Sequence, residues 1–574
     1  MVALLPLWLP VAALALKLDV EVTGVDGELE KNVLALLGIY QERNEDGLSV
    51  ARMLALFRRA PGQIEEALAP FGRYRVRVKD ELIEPETDGG QWIARFDIDP
   101  GPAVKIGRVD YQITGPGASN PRFPKKFPMQ PGDVLLHSAY EKARNEITTI
   151  ASEEGYLDAE LVVHQVLIDP VSYEAVVEFH LDTGPRWYLG RVNFDQDLLS
   201  DRYLEKFVDF KPGTVYDPNL LLALQGRLVA MEYYDDVRIE PQKDRAGPDR
   251  VIPIEVVAHR NKANKYRVGV GFATDVGPRL TLDYRRRYIG RNGHKAKAEL
   301  SLSGPIQSIL AEYRIPFRNP TRDYYLIRPE YYGFDTASRQ GTLYTVGVAQ
   351  SMVTKGGWRR NIGVDYSYED YKVADTQSDT FNGFVPYVSW FKVKADDPIN
   401  TRNGHRIKYT VKGTAVGLSE TNWLAASLNY KVIRSFGDEY RFIARADAGA
   451  ILAESVQDVP ASERFFAGGD QSIRGWGLDV LGPNDPITNA TVGGRYLAVG
   501  SLELERHIVG AWSGVVFTDF GNAFDPDYTA VWEQSAGIGI RFATPIGPVR
   551  LDLAYALTKD TPGFRLHFGL GPDL

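Results

Sequence analysis

Two textures of apolar and polar residues divide the chain. From Lys17 to about Asn264 some stretches repeat apolar residues at helical spacing and others alternate, as in a mixed α/β chain. From Lys265 onward helical periodicity stops, and the remainder reads as consecutive strands with turns. Lys295, Lys297, Glu299, Ser301 and Ser303 alternate with Ala296, Ala298, Leu300 and Leu302. Leu424, Ala426, Leu428, Tyr430 and Val432 alternate with Ala425, Ser427, Asn429 and Lys431, and Val549, Leu551, Leu553 and Tyr555 with Arg550, Asp552 and Ala554. One apolar face against one charged face suits a barrel with lipid outside and water inside, although a soluble sandwich also alternates. About sixteen strands, several of them long, favour the membrane barrel. Short turns at Arg291-Asn292-Gly293-His294 and Arg402-Asn403-Gly404-His405 mark one end, with longer loops expected at the other.

The first part contains an internal repeat. Gly101-Pro102-Ala103-Val104-Lys105-Ile106-Gly107-Arg108-Val109 recurs as Gly184-Pro185-Arg186-Trp187-Tyr188-Leu189-Gly190-Arg191-Val192. Pro131-Gly132-Asp133-Val134 likewise recurs as Pro212-Gly213-Thr214-Val215. Such repetition means stacked copies of one supersecondary unit. Each module reads strand, helix, helix, strand, strand. In the third, a short helix runs from Ser200 through Phe207. A second, with Asp217 as its cap, Pro218 at its first position and a Leu221/Leu224/Leu228 stripe, ends near Tyr233-Tyr234. The second module has a helix from about Ser138 to Glu154. The first has one near Val50 to Arg59 and a Phe71-Gly72 corner.

Composition narrows the function. With 66 basic against 75 acidic side chains a nucleic-acid footprint is not expected. The absence of cysteine removes disulfides and thiolate metal sites and fits an oxidising compartment. The apolar run Met1 to Leu16 is short for a bilayer span, and Ala13-Leu14-Ala15 offers a cleavage site, so residues 1–15 read as a secretory signal peptide, although a positive n-region is missing. There is no H-E-x-x-H and no G-x-S-x-G, and Gly269-Val270-Gly271-Phe272-Ala273-Thr274 fails the dinucleotide pattern. An enzyme is not expected, nor any cofactor or metal. His294 and His405 both follow Asn-Gly and read as solvated turn residues.

One stretch stands apart. Gly468-Gly469-Asp470-Gln471-Ser472-Ile473-Arg474-Gly475-Trp476-Gly477 lies in a long Gly/Pro/Asn-rich interval, about residues 454 to 495. Long irregular loops are uncommon in compact folds and are usually functional or disordered. Taken alone, this one reads as a mobile surface loop with an exposed Arg. Further on stand Ser501-Leu502-Glu503, Phe517-Thr518-Asp519-Phe520-Gly521 and Gly537-Ile538-Gly539-Ile540-Arg541, the last followed by Thr544 to Asp552. With Ser472 to Trp476, these motifs resemble the Omp85 superfamily: periplasmic POTRA modules followed by a sixteen-stranded outer-membrane barrel. The resemblance covers nearly the whole chain after residue 15 and divides it into POTRA 1 (16–102), POTRA 2 (103–185), POTRA 3 (186–262) and an outer-membrane barrel of the bacterial surface antigen type (263–574). Three modules and the ending Phe568 to Leu574 are most similar to the TamA branch, the outer-membrane subunits of translocation and assembly modules. The ending departs from the usual aromatic-terminated signal.

The resemblance implies a sixth loop folded into the lumen, with Arg474, Gly475 and Trp476 at its tip and Arg474 paired to Asp519 and Glu503. It implies a barrel that assists insertion or secretion of outer-membrane proteins and autotransporters, in contact with outer-membrane lipid. Its partners would be client β-barrel proteins and a TamB-like inner-membrane protein bound through POTRA 1. A two-partner secretion transporter and a general BamA-like assembly factor are the alternatives. The first and last barrel strands carry Gly269, Gly271 and Phe272, and Phe568, Gly569 and Gly571. Glycine weakens strand pairing and permits bends, so these residues read as a weak seam or as relief of curvature, and the sequence leaves both open.

Overall fold

The chain resolves into three small α/β modules and a single sixteen-stranded sheet. The computed structural model describes residues 16–45, 47–87, 90–374, 377–526, 531–545, 547–558 and 563–571; the expected leader at 1–15 and the end of the chain at 572–574 lie outside them. No described helix is long and apolar enough to cross a membrane.

The first module runs β1 (Lys17–Thr23), α1 (Gly27–Leu36), α2 (Gly38–Gln41), α3 (Val50–Leu68), β2 (Arg77–Ile83) and β3 (Gln91–Asp99), with sheet order β1-β3-β2. Ser49 caps α3 by accepting the Arg52 N–H at 3.2 Å. The helix expected over 50–59 continues to Leu68 with Pro61 inside it. Proline removes one backbone bond, but Ala60, Ile64, Ala67 and Leu68 extend the buried stripe past it and hold the second half down.

The second module comprises β4 (Lys105–Thr114), α4 (His137–Glu153), β5 (Glu160–Asp169) and β6 (Glu174–Asp182), ordered β4-β6-β5. The expected pair of helices is here a single one. Residues 115–136 form turns because Pro116, Pro121, Pro124, Pro128 and Pro131 each lack an N–H donor, while Phe123, Phe127 and Met129 anchor the segment in the core. The third module has β7 (Tyr188–Asp195), α5 (Asp201–Leu204), α6 (Pro218–Ala230), β8 (Tyr234–Pro241) and β9 (Val251–Arg260), ordered β7-β9-β8. The Asp217 carboxylate accepts the Asn219 N–H at 2.8 Å at the start of α6. That helix stops at Ala230, short of the expected Tyr233-Tyr234, because Glu232 turns into the left-handed region at φ 56° and Tyr234 already begins β8.

The barrel is one antiparallel meander. Its strands are β10 (Asn264–Ala273), β11 (Gly277–Ile289), β12 (His294–Leu302), β13 (Ile306–Pro316), β14 (Tyr324–Asp335), β15 (Arg339–Val353), β16 (Arg359–Val373) and β17 (Gln377–Ala395). It continues through β18 (Gly404–Thr414), β19 (Trp423–Phe436), β20 (Tyr440–Ala453), β21 (Tyr496–Val509), β22 (Trp512–Phe524), β23 (Glu533–Phe542), β24 (Val549–Ala556) and β25 (Phe564–Leu570). Alternation works as expected. Val346, Val348, Leu502, Leu504, Val516, Ile538 and Ile540 point out and are exposed, while Asp283, Glu369, Asp519 and Asp552 point in and are buried. The expected excess of long loops at one end is a correction. Three connections at that end, 274–276, 303–305 and 336–338, are as short as the turns opposite them, and the length is concentrated in 454–495.

Two compact units divide the chain, and residues 194–209 and 223–240 of the third module belong with the barrel. The contact is specific. Tyr233 Oη donates to the Gly293 carbonyl at 2.7 Å and lies 2.9 Å from Tyr203 Oη. A Cβ on Gly293 would fall 2.2 Å from the Tyr203 ring, so only glycine admits this approach. Burial pushes the Tyr203 phenol up to about 12 and Tyr233 higher still, so both hydroxyls stay neutral at physiological pH. Glu232 pairs with Lys265 of β10 at 2.8 Å and Arg287 of β11 at 3.3 Å. The turn at 291–294 is therefore a docking element. His294 is half-buried with Nδ1 2.9 Å from Tyr313 Oη, which corrects its reading as a solvated turn residue; His405 is half-buried too. Tyr233→Phe leaves the Gly293 carbonyl without its buried donor and should destabilise this contact by about 1–3 kcal/mol. Limited proteolysis checks it: cleavage near 261–264 should accelerate while the barrel keeps its heat-modifiable mobility.

Candidate functional site

Residues 454–495 leave β20 and return at β21, and Arg474 near the middle of this loop is only 4 % exposed. Its guanidinium reaches three strands. Nε and Nη2 donate to the two carboxylate oxygens of Asp519 on β22, each at 2.8 Å, and the Arg474 backbone N–H adds a third bond to Asp519 at 3.0 Å. Nη1 donates to Asp552 on β24 at 3.0 Å. Nη2 also meets Glu503 at 2.8 Å and Ser501 Oγ at 3.2 Å, both on β21. The guanidinium carbon stacks 3.5 Å from the centroid of Phe517. A planar fork with five donors suits this arrangement, since lysine offers only a point charge.

Register explains why these groups converge. Ser501 pairs with Asp519, and Asp519 with Ser535, so the three face the lumen side by side. Phe517 and Glu503 are one step away on the same face. On β23 the inward positions Gly537 and Gly539 are empty of side chain. A Cβ on Gly537 would lie 2.3 Å from the Phe517 ring, and one on Gly539 would lie 2.0 Å from an Asp552 oxygen. These two glycines open the space that Phe517 and Asp552 occupy. Gly475 is also required: its φ is 124°, and a Cβ would meet Ser535 and Ala556 at 3.2 and 3.3 Å. Trp476 is buried beside them.

Two arginines complete the cluster. Arg541 of β23 bonds Asp552 and reaches Glu503 at 3.3 Å, and Arg445 of β20 donates to the Ser472 carbonyl at 2.5 Å. Sequence reasoning named Arg474, Asp519 and Glu503; it quoted Asp552 and Phe517 inside motifs without assigning them a contact. The signal for Asp552 was strand parity, which places it on the charged face with Arg550.

A second set of anchors on the opposite wall escaped the sequence. Arg339 at the start of β15 pairs with Asp479 at 3.1 Å and donates to the Ala461 carbonyl at 2.9 Å. Glu369 of β16, fully buried, accepts the Ser462 N–H at 2.9 Å and its hydroxyl at 2.5 Å. Lys412 of β18 pairs with Glu463 at 2.5 Å. The loop spans the lumen from one wall to the other. Nothing in the local sequence of β15, β16 or β18 signals partners so far along the chain.

The residues named for the seam divide unevenly. β10 and β25 are the two ends of the sheet, and among the described residues no backbone ladder joins them. The Phe568 N–H donates to Thr274 Oγ1 at 2.9 Å, and the Phe272 and Phe568 rings lie 5.9 Å apart. Gly269 and Gly271 lie within β10, where a Cβ would make ordinary contact with Thr281 or Arg279 at 3.8 Å; Gly569 lies within β25 with open space where a Cβ would go, and Gly571 follows β25 with its N–H directed to the Pro548 carbonyl at 3.4 Å. The edge of β10 is bare: Tyr266, Val268 and Val270 are 71, 71 and 80 % exposed, above the outward residues of paired strands such as Leu502 at 41 %.

Removing one partner of a buried, hydrogen-bonded ion pair costs about 3–5 kcal/mol, because the other charge is stranded. Arg474→Ala and Asp519→Ala should each lower the temperature at which the barrel loses heat-modifiable mobility and open 454–495 to protease. The double variant should be much less than additive, since both act on one contact.

Comparison with known proteins adds a family. Residues 262–573 match the Omp85 superfamily domain, residues 19–100 match the first POTRA domain of TamA, and residues 187–257 match the surface antigen variable number repeat. Similar curated proteins include outer membrane protein assembly factor BamA of Nitratidesulfovibrio vulgaris, 21 % identical over 76 % of this chain and 68 % of the relative. BamA of Neisseria meningitidis is 20 % identical over 85 % of this chain and 69 % of its own length. Among solved structures, BamA from Haemophilus ducreyi lacking POTRA domains 1–3 superposes with a TM-score of 0.70 at 16 % identity, covering 82 % of this chain and 99 % of that one. With more than half its length matched to the superfamily domain and the expected modules in front of it, the chain belongs to the Omp85 superfamily.

Proposed function

We propose that this protein inserts or secretes client outer-membrane proteins through the gap between β10 and β25, as the outer-membrane subunit of a TamA-type translocation and assembly module. The barrel lies in the bacterial outer membrane with its POTRA modules in the periplasm. The observation that carries the proposal is the missing ladder between the first and last strands. An unpaired strand edge is a template for another strand, and main-chain bonds to it require no particular client sequence. Strand length supports the same reading. β10, β24 and β25 have 10, 8 and 7 residues, near or below the roughly 9–11 that span a bilayer, against 15, 15 and 19 in β15, β16 and β17. The short side is the side a client would enter.

Arg474 acts in this reading as the lock of the loop that crosses the lumen, keeping the C-terminal wall rigid beside a soft edge. The match of residues 19–100 to the first TamA POTRA domain supports the TamA branch and a TamB-like inner-membrane partner bound through POTRA 1, with module boundaries at 16–102, 103–185 and 186–262. The BamA relatives support a broader assembly role as the alternative. Copurification separates the two. A large inner-membrane-anchored protein retained by the full chain, and lost when 16–102 is deleted, is the TamA-type outcome.

The seam itself is tested with cysteines, which the native chain lacks. Gly271→Cys with Gly569→Cys should form a disulfide under oxidation and abolish client insertion into liposomes, with recovery on reduction. Full insertion by the oxidised protein would contradict lateral entry.

A further inference from the structure

We propose that Asp275 and Asp470 form a releasable clasp across the seam, with Asp275 as the part that lets go. The inference deepens the reading of the seam given above and rests on it. Asp275 lies just after β10, on the N-terminal edge; Arg565 and His567 lie on β25, the C-terminal edge; Asp470 belongs to the crossing loop. The Asp470 carboxylate bonds His567 Nδ1, and the Asp470 backbone N–H donates to Asp275 Oδ2. Asp275 Oδ1 accepts from Arg565 Nη2 at 2.9 Å. The side chains of Asp275 and His567 are each 4 % exposed. The loop thus touches both edges within one group of contacting side chains, at a place where the two strands share no backbone ladder.

Two features make this more than a chance contact. Gly469 sits at φ 102°, and a Cβ there would fall 2.8 Å from Asp275 Oδ2, so the loop backbone approaches that carboxylate only because position 469 has no side chain. The attachments are also unequal. Asp470 through His567, and Arg474 through Asp519 and Asp552, bind the loop to strands on the C-terminal side. On the N-terminal edge it meets Asp275. The loop is also anchored to β15, β16 and β18 on the opposite wall, away from the seam; when the edges part it therefore keeps its hold on β22, β24 and β25, and the bonds that break at the seam are those to Asp275. A cavity of about 420 Å³ borders Asp275, Asp470, Arg474 and His567, so the freed carboxylate can be solvated where it stands. Opening then strands no buried charge, which a release point needs and the Arg474 cluster lacks.

The experiment uses the full chain in liposomes without client, so its result is independent of insertion activity. Spin labels on Val270→Cys and Leu566→Cys, both outward and exposed, report separation of the edges. Asp275→Ala should raise the population of wide separations about fivefold or more, while the loop keeps its protease resistance. Asp470→Ala keeps the backbone N–H to Asp275 and the Asp275–Arg565 pair and loses only the bond to His567, so it should widen the seam less than Asp275→Ala does. Asp275→Asn, which keeps shape and one acceptor, should fall between wild type and Asp275→Ala, and heat-modifiable mobility identifies folded protein in each case. Unchanged separations in folded Asp275→Ala, or widening accompanied by loss of loop protection, would overturn the clasp.

Discussion

The C-terminal wall of the barrel is arranged around the buried guanidinium of Arg474. Arg474 arrives on a loop and meets Asp519, Asp552 and Glu503 from three strands, with the Phe517 ring beneath it. Burying a charge is costly unless partners of opposite sign are already fixed in place. Here they are fixed by sheet register, which no local change can alter without shifting a whole strand. The loop is thereby tied to a rigid wall, and the glycines at 537 and 539 make the room that the arrangement needs. Electrostatic pairing and backbone shape specify each other.

Rigidity on that side gives meaning to softness on the other. Strands β20 to β24 are fully laddered to their neighbours and share the Arg474 cluster, whereas β10 and β25 are short and meet without a ladder. Among the described residues, side-chain contacts, the Phe568 N–H on Thr274 and the loop hold the two edges near each other. At the base of β10, Glu232 of the third module pairs with Lys265, so the same strand that borders the gap is also tied to the module.

Much of this was legible in the sequence. Alternation marks the strands and their charged face, because a strand period of two cannot be imitated by a helix, and the number and length of the strands favour a barrel over a sandwich. The repeat at Gly101 and Gly184 gave the modules. Departures have local causes: the first-module helix continues past Arg59 through Pro61 because its buried stripe continues, and the prolines of 116–131 forbid a second helix in the second module. Of the Arg474 partners, Asp519 and Glu503 came from motif resemblance and parity. Arg339, Glu369 and Lys412 could not be foreseen, since their contacts join positions 51 to 122 residues apart through closure of the barrel. The Asp275–Asp470–His567 group has the same origin: closure brings together the second part of the chain's beginning and its end.

A locked wall borders an unladdered seam. Hydrogen–deuterium exchange of the full-length protein in liposomes tests it directly, because ladder bonds slow amide exchange and open edges do not. The amides of 264–273 and 564–570 that do not bond β11 or β24 should exchange about a hundredfold or more faster than those of 512–524 and 533–542. Equal, strong protection of all four segments would mean that the sheet closes into a continuous barrel, and would contradict the unladdered seam.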